Sequence, residues 1–216
     1  PVSVSTRSEF LRSEPVLQGM IKKAVVSSLS RKWKRDRFEE TGASFPIFAD
    51  IQSDHVRVYL DSTGEGLNRR GYRLQAGKAP LKETLAAALV YLSRWRGDIY
   101  LVDPFCGSGT IPIEAAMIQA AVPPGLNRSF LFEQWPFVPA EFCSEIRESA
   151  RASIRISPDI VVKGFDADRR MLKTARENAS RAGVSEMIHW QQSDFRTADY
   201  SNRRGHLICN PPYGER

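Results

Sequence analysis

Residues 99–116 constrain the fold of this chain most strongly. They read Ile-Tyr-Leu-Val-Asp-Pro-Phe-Cys-Gly-Ser-Gly-Thr-Ile-Pro-Ile-Glu-Ala-Ala, which is an apolar strand, a glycine-rich turn and a helix that opens at Thr110 with Pro112 in its first turn. Gly107 and Gly109 let the backbone approach a ligand closely, at the carboxyl end of a strand, where open α/β sheets bind their ligands. The pattern therefore predicts an α/β sheet with a ligand site at the end of this strand.

The glycine-rich turn differs from the two common phosphate-binding turns. The dinucleotide fingerprint G-x-G-x-x-G is absent because Pro112 stands in place of the third glycine, and no Gly-Lys-Ser/Thr follows to make a P-loop. Asp103, at the end of the strand, would repel a pyrophosphate. Its carboxylate suits the ammonium and sulfonium groups of S-adenosylmethionine, which is the ligand that we predict here.

Two further carboxylates follow predicted strands. Residues 160–166 read as a buried parallel strand that ends at Asp166, followed by an amphipathic helix near 168–181. A carboxylate in this position is placed to accept hydrogen bonds from both hydroxyls of a ribose. Residues 188–195 give a weaker strand pattern, in which Asp194 is predicted to receive an adenine amino group.

The last apolar run, within residues 206–213, ends in Asn-Pro-Pro-Tyr. Pro211 and Pro212 fix their φ angles and remove two backbone donors, so that the strand must stop there. The side-chain oxygen of Asn210 and the carbonyl of Pro211 can accept the two hydrogens of an exocyclic amine, and Tyr213 offers a ring for the base to stack on. The tetrapeptide thus predicts a site that presents the NH2 group of a nucleobase. A strand that simply ends at two prolines is the alternative interpretation.

Several motifs of the chain resemble those of one enzyme family, the THUMP-containing, S-adenosylmethionine-dependent RNA methyltransferases. The similarity is greatest to the bacterial branch that methylates N2 of a guanosine in 23S ribosomal RNA. The motifs that carry the resemblance are Asp103-Pro-Phe-Cys-Gly-Ser-Gly-Thr, Gly164-Phe-Asp-Ala-Asp168, Asn210-Pro-Pro-Tyr-Gly214 and the stretches at 71–89 and 124–136. The resemblance implies a Rossmann-like methyltransferase sheet, preceded by part of a small α+β THUMP-like domain that binds RNA.

The motifs and the resemblance together assign a set of site residues. The residues expected to bind S-adenosylmethionine are Asp103, Pro104, Phe105, Cys106, Gly107, Gly109, Thr110, Asp166, Asp194, Phe195 and Asn210. The catalytic residues are expected to be Asn210, Pro211, Pro212 and Tyr213. The expected reaction is direct methyl transfer to N2 of a guanosine in RNA. Methylation of adenine N6 in DNA or RNA is an alternative, and so is a non-catalytic RNA-binding module.

The chain is predicted to contain two domains, 1–73 and 74–216. The first is expected to hold a strand at 2–7, a helix at 14–31 and strands at 45–51 and 55–60, with a link over 62–80. A helix at 81–93 is expected to open the second domain. We expect the sheet to be incomplete after the Asn-Pro-Pro-Tyr motif and the THUMP-like domain to begin before Pro1, as in a fragment of a longer protein.

The segment near 121–157 exceeds what a minimal methyltransferase sheet needs. Asp103 and Asp166 are 63 positions apart, whereas a βαβ unit needs about 30 residues. We interpret the excess as packed structure rather than a lid over the site.

Positive charge is concentrated in the first part of the chain. Residues 1–80 hold 14 Lys and Arg against 9 acidic residues, whereas residues 81–216 hold 17 against 16. The excess predicts a polyanionic partner for the first part, namely RNA. The expected RNA contacts are Arg69, Arg70, Tyr72 and Arg73, whereas the basic run 31–37 is equally typical of a solvated helix end.

The cysteines, the histidines and the hydropathy of the chain indicate whether it binds a metal or crosses a membrane. Neither the three cysteines nor the three histidines form a pattern typical of metal ligands, and an odd cysteine count argues against a disulfide framework. No apolar run approaches the roughly 18 residues of a membrane span. We therefore predict a cytoplasmic protein that binds neither a metal nor a membrane.

Overall fold

The computed structural model describes the whole chain except residues 39–40, 54, 74–80, 158, 160, 199, 201–203, 213 and 215–216. The chain divides into two compact units. The first contains Pro1–Glu65 and Phe130–Cys143, and the second contains Gly66–Ser129 and Ser144–Arg216.

The first unit is a helix packed on a three-stranded sheet. Its elements are β1 (Val2–Thr6), α1 (Glu14–Trp33), β2 (Ile47–Gln52) and β3 (His55–Leu60). In the sheet order β1-β2-β3, β1 is parallel to β2 and β2 is antiparallel to β3. A small core forms where Leu17 of α1 meets Val4, Ala49 and Ile51 of the sheet. The predicted strand-helix-strand-strand pattern of this region is therefore present.

The second unit contains a parallel four-stranded sheet. The elements that follow β3 along the chain are α2 (Glu83–Leu92), β4 (Tyr100–Asp103), α3 (Thr110–Gln119), α4 (Ala140–Ala152), β5 (Val162–Asp166), α5 (Arg169–Ala182), β6 (Ile188–Gln192) and β7 (Gly205–Leu207). Single 3₁₀ turns occur at Leu131–Gln134 and Ser185–Met187. The strand order is β6-β5-β4-β7, with every pair parallel. The expected α/β sheet of Rossmann-like type is confirmed.

The helices α3 and α5 pack against this sheet and differ in how much of their surface is buried. The helix α3 is buried along nearly its whole length, and its alanines permit close packing in the core. In contrast, α5 is amphipathic and buries Leu172, Ala175, Ala179 and Ala182, which recur at three- and four-residue spacing. Because all four strands are parallel, their carboxyl ends lie at one edge of the sheet.

The two compact units differ from the predicted division at 73 and 74 in two ways. Residues 66–73 belong to the second unit, and 130–143 belong to the first. In the first unit, Nε1 of Trp135 donates a hydrogen bond to the Ser44 carbonyl at 2.9 Å. The Trp135 ring also stacks on Phe45, with ring centroids 5.3 Å apart. This part of the predicted excursion is thus packed structure of the first unit.

Within the described part of the chain, no helix combines the length and the apolar character that a membrane span requires. Among the same residues, no group of three or more His, Cys, Asp or Glu side chains is arranged to hold a metal ion.

Candidate active site

The four polar positions that follow the parallel strands lie along one edge of the sheet. Asp194 follows β6, Asp166 ends β5, Asp103 ends β4 and Asn210 follows β7. The strand order β6-β5-β4-β7 therefore places them in the spatial order 194, 166, 103, 210. Such an edge is the usual location of a ligand crevice in open α/β sheets.

The turn between β4 and α3 requires both of its glycines, for different reasons. Gly107 and Gly109 have φ angles of +53° and +87°, in the left-handed region. A Cβ on Gly109 would lie 2.7 Å from the ring of Trp190, so that this glycine is needed for packing. Among the described residues, a Cβ on Gly107 would meet only Cε of Met171, at 3.8 Å, which leaves room for a ligand beside the turn.

Asp166 holds the glycine-rich turn through backbone hydrogen bonds. One carboxylate oxygen accepts the N–H of Gly107 at 2.9 Å, and the other accepts the N–H of Asp168 at 2.8 Å. Each oxygen keeps a second acceptor position. The carboxylate can therefore fix the turn and still accept hydrogen bonds from two vicinal hydroxyls.

Asp103 is a buried carboxylate suited to a cationic ligand. It is 1% exposed, and it accepts the N–H of Phe105 at 3.0 Å. Burial raises the pKa of Asp103 from 3.8 to about 7; the hydrogen bond from Phe105 opposes this rise, and the charge of Asp166 adds to it. Among the described residues, no cationic side chain forms an ion pair with it. A ligand cation placed beside Asp103 would favour its ionised form.

Cys106 has a structural position in the turn. Its N–H donates to the Phe165 carbonyl at 2.9 Å, and its carbonyl accepts the N–H of Gly109 at 2.8 Å. Burial raises the pKa of the Cys106 thiol far above its ordinary value. The thiol therefore stays protonated, and the residue contributes to the site through its backbone.

Asp194 and two aromatic rings form the outer end of the site. The rings of Phe105 and Phe195 lie 4.7 Å apart between centroids, and Phe195 is 47% exposed. Asp194 accepts hydrogen bonds from Arg196, one of them at 2.6 Å, and these bonds lower the pKa of Asp194 to about 2. Sequence reasoning missed Arg196, although its position two residues after the acid is typical of such a local pair.

Asn210 lies next to the end of β4. The N–H of Ile208 donates to the Val102 carbonyl at 3.0 Å, which continues the parallel pairing beyond β7. Burial raises the pKa of the Cys209 thiol, and the nearby charge of Asp103 raises it further. Asn210 itself is exposed, as is Pro212, and Pro211 is half-buried, while Tyr213 lies outside the described residues.

The predicted RNA contacts Arg70, Tyr72 and Arg73 need correction, because Tyr72 is buried and both arginines are largely enclosed and engaged by acids. Nε and Nη2 of Arg70 donate to the two carboxylate oxygens of Glu114, at 3.3 and 3.2 Å. The hydroxyl of Tyr72, a residue that is 1% exposed, donates to Glu114 at 3.1 Å. These groups hold a buried acid of α3, so that little of the Arg70 and Tyr72 side chains is exposed for a contact with RNA.

Arg73 is engaged in the same interior. Its guanidinium forms an ion pair with Glu83 at 3.5 Å and donates to the hydroxyl of Thr110 and to the Leu81 carbonyl. It therefore supports the first residue of α3, directly after the glycine-rich turn. Arg69 is exposed, and its predicted contact with RNA is untested. The available sequence signal was the presence of acids, Glu83 and Glu114, in otherwise apolar helices.

Comparisons with known proteins bear on the identity of this site. A family profile described as "RMKL-like, methyltransferase domain" matches residues 70–216. The chain is 39% identical over 218 residues to the candidate RNA methyltransferase YpsC of Bacillus subtilis (strain 168), covering 100% of this chain and 57% of that protein. It is 42% identical over 197 residues to the ribosomal RNA large subunit methyltransferase K/L of Aliivibrio fischeri (strain ATCC 700601 / ES114), covering 84% of this chain and 28% of that protein.

Solved structures agree with this similarity. A predicted N6-adenine-specific DNA methylase from Listeria monocytogenes str. 4b F2365 superposes with a TM-score of 0.92 at 40% identity, covering 100% of this chain and 57% of that one. SMU.472, a candidate methyltransferase crystallised with SAH, superposes with a TM-score of 0.88 at 39% identity, covering 100% and 58%. The chain spans at most 57% of the length of the curated relatives described above.

Proposed function

The chain belongs to the RMKL-like methyltransferase domain family, and from this membership we propose that it is part of an RNA methyltransferase that uses S-adenosylmethionine. The proposed target is the N2 amine of a guanosine in large-subunit ribosomal RNA, which implies a cytoplasmic location. The observation that carries the proposal is the spatial order of Asp194, Asp166, Asp103 and Asn210 along one sheet edge.

The first three of these positions fit the parts of S-adenosylmethionine. Asp194 and the ring of Phe195 would hold the adenine, and Asp166 would hold the ribose through its remaining acceptor positions. The buried carboxylate of Asp103 would stabilise the cationic methionine end, beside the open side of Gly107. When bound, S-adenosylmethionine supplies an electrophilic methyl group on a positively charged sulfur. The structure of SMU.472 with SAH supports S-adenosylmethionine as the cofactor, because SAH is what remains of it after methyl transfer.

Asn210 and the residues after it would orient the target base. The side-chain oxygen of Asn210 and the carbonyl of Pro211 would each accept one hydrogen of the amine, so that the nitrogen lone pair would point at the methyl group. Transfer would form the nitrogen–carbon bond as the carbon–sulfur bond breaks, and the amine would lose its proton afterwards. Tyr213 would stack on a base turned out of its RNA strand. Alignment of the two reactants can contribute roughly 7–11 kcal/mol to the acceleration.

Relatives support RNA as the substrate, and one solved structure supports an alternative. The names of the Bacillus and Aliivibrio relatives refer to RNA and to ribosomal RNA. The Listeria structure is described as a predicted N6-adenine-specific DNA methylase, and Asn-Pro-Pro-Tyr fits any planar exocyclic amine. Nucleoside analysis of the methylated product separates N2-methylguanosine from N6-methyladenosine.

We also propose that β1, α1, β2 and β3 of the first unit belong to a THUMP-like RNA-binding domain. Its support is the order of one strand, one helix and two further strands, together with the sequence resemblance noted above. Substrate affinity would then come mainly from this unit, and the methyl transfer from the second.

Substitution of Asn210 in the full-length protein tests the proposed reaction. Asn210→Ala removes one acceptor for the amine, a loss that we expect to cost about 2.7–4 kcal/mol, by analogy with removal of one preorganised donor from an oxyanion hole. The single-turnover rate on ribosomal RNA at saturating S-adenosylmethionine should then fall about a hundredfold or more. Affinity for the cofactor should change far less. Asn210→Asp keeps an acceptor and should retain part of the activity.

Asn127→Ala provides a matched control for this substitution. The amide of Asn127 is also exposed and donates to the Arg181 carbonyl, within the second unit. Its loss should leave the methyl-transfer rate near that of the wild type. A near-normal rate for Asn210→Ala would mean that the Asn-Pro-Pro-Tyr motif only ends a strand, and the proposal would fail.

A further inference from the structure

The end of α1 carries a dense group of exposed cations. They are Arg31, Lys32, Lys34, Arg35 and Arg37, and together with Trp33 they are called the basic end of α1 below. No other window of seven residues in the sequence holds as many Lys and Arg. Asp36 interrupts the run and Glu39–Glu40 follow it, yet cations still outnumber acids over 31–40. Within the described part of the chain, no carboxylate forms an ion pair with these cations.

The helix dipole accounts for only part of this charge. Arg31 and Lys32 stand in the last turn of α1, where cations are favoured by the partial negative charge of the free carbonyls. Lys34 caps the helix in the left-handed conformation, and its N–H donates to the Ser30 carbonyl. The helix has therefore ended before Arg35 and Arg37. Since the dipole effect falls off within one turn, these later cations need another reason.

An aromatic ring stands among the cations. Trp33 is 55% exposed, and its ring lies 6.0 Å from that of Phe38 between centroids, tilted by 60°. This contact supports one part of the indole, while more than half of the residue remains accessible to solvent. Many proteins bind single-stranded nucleic acids with cations and exposed aromatic rings on the same surface. The cations contact the phosphates, and the bases stack on the rings.

Arg70 and Arg73 differ from the exposed cations at the end of α1. The charges of Arg70 and Arg73 are compensated by the buried acids Glu114 and Glu83. Outside the basic end of α1, the cations of the first unit are scattered along the sequence among a larger number of acids. Positive charge in the first unit is therefore concentrated at one place.

We propose that the basic end of α1 is a contact surface for a single-stranded segment of the substrate RNA. The cations contact successive phosphates, and Trp33 stacks on an unpaired base. This inference rests on the proposed function, because it takes RNA to be the substrate. A duplex fits less well, since its bases are already stacked on one another and cannot cover the indole.

Two variants of the full-length protein test the surface. The triple variant Lys32→Gln, Lys34→Gln, Arg35→Gln removes three phosphate contacts, and Trp33→Ala removes the stacking ring. The measurement is the affinity for a short, unstructured single-stranded RNA over a range of KCl concentrations. The salt slope of the triple variant should fall by about 2, because each contact with a single strand contributes about 0.7. The affinity of the Trp33→Ala variant should fall about tenfold with an unchanged slope, as expected for loss of one stacked base.

The control is the triple variant Arg7→Gln, Arg12→Gln, Lys23→Gln. It makes the same change in charge, at exposed positions of the same unit. Its affinity for RNA should stay within about twofold of the wild type, because charges without a phosphate contact release no counterions. Thermal melting of each variant verifies that it is folded.

The outcomes separate this inference from the proposed function. The proposed RNA contact at the basic end of α1 would be refuted if the Lys32/Lys34/Arg35 variant kept the wild-type salt slope. It would also be refuted if the control variant lost as much affinity for RNA. Either result would count even if the wild type methylates RNA. Competition by a duplex as strong as by the single strand would overturn the stacking contact. A wild-type protein that neither binds nor methylates RNA would instead refute the proposed function.

Discussion

Two ion pairs in the second unit have the same length and opposite burial, which makes them a direct test of the structure. Arg70–Glu114 and Arg170–Asp168 both have an N–O distance of 3.2 Å. The side chains of the first pair are 11% and 3% exposed, and those of the second are 92% and 41% exposed. The perturbation is Arg70→Met, with Arg170→Met as its matched control.

The expected cost follows from what remains after each substitution. Without Arg70, the carboxylate of Glu114 stays buried, with the Tyr72 hydroxyl as its remaining partner in this group. Removing one member of a buried pair costs about 3–5 kcal/mol in the free energy of unfolding. The exposed pair contributes little, because solvent screens both charges. Arg70→Met should therefore destabilise the protein strongly and Arg170→Met hardly at all.

Urea unfolding of the full-length protein measures the difference, and pH gives an independent readout. Burial raises the pKa of Glu114, and the charge of Arg70 is the largest influence that opposes this rise. Without Arg70, the pKa of Glu114 should rise further in the folded state, so that the deficit should shrink as the pH falls and the acid takes up a proton. Adding Glu114→Gln should recover part of the loss. Equal costs for Arg70→Met and Arg170→Met would refute the buried network and restore Arg70 as a candidate RNA contact.

Two further predictions concern cofactor binding. Gly107→Val should abolish detectable binding of S-adenosylmethionine in calorimetry, because it fills the open side of the turn. Gly183→Val, which strains a similar φ of +75° at the end of α5, should lower the melting temperature and leave the affinity unchanged. Since burial raises the pKa of Asp103 from 3.8 to about 7, its contribution to the stability of the unliganded fold should be greatest below pH 3.8 and be lost as the pH rises through about 7. The affinity for the cationic cofactor should rise with pH up to about 7, as Asp103 becomes ionised. The Asp103→Asn variant should show little change of affinity with pH. A wild-type affinity that does not change with pH would contradict the assignment of Asp103.

The strand-end positions could be predicted from sequence because local rules determine them. An apolar run that ends in an acid shortly before a helix fixes where Asp103 and Asp166 lie, once the strands are known to be parallel. At Asp103 the glycine-rich turn is an additional signal. The burial of Arg70 and Arg73 could not be predicted in the same way. It depends on acids of α2 and α3, which are distant in sequence, and an arginine on the surface has the same local pattern as one in the core.

The segment 130–143 shows the same limit at a larger scale. Its residues belong to the first unit, where Trp135 contacts Ser44 and Phe45, although they follow α3 of the second unit in sequence. Nothing in their own periodicity indicates that partner. Contacts between distant segments decide the division of the chain, and local patterns carry no information about them.

The order of the strands places Asp103 between the other candidate site positions. From β4 the chain moves outward through β5 to β6, then returns to the opposite side of β4 as β7. Asp166 and Asp194 therefore lie on one side of β4, and Asn210 lies on the other. In the proposed reaction, a methyl group passing from the cofactor to the target amine would cross above the end of β4. The buried carboxylate of Asp103, at that point, is suited to stabilise the positive charge of the sulfonium until the methyl group leaves.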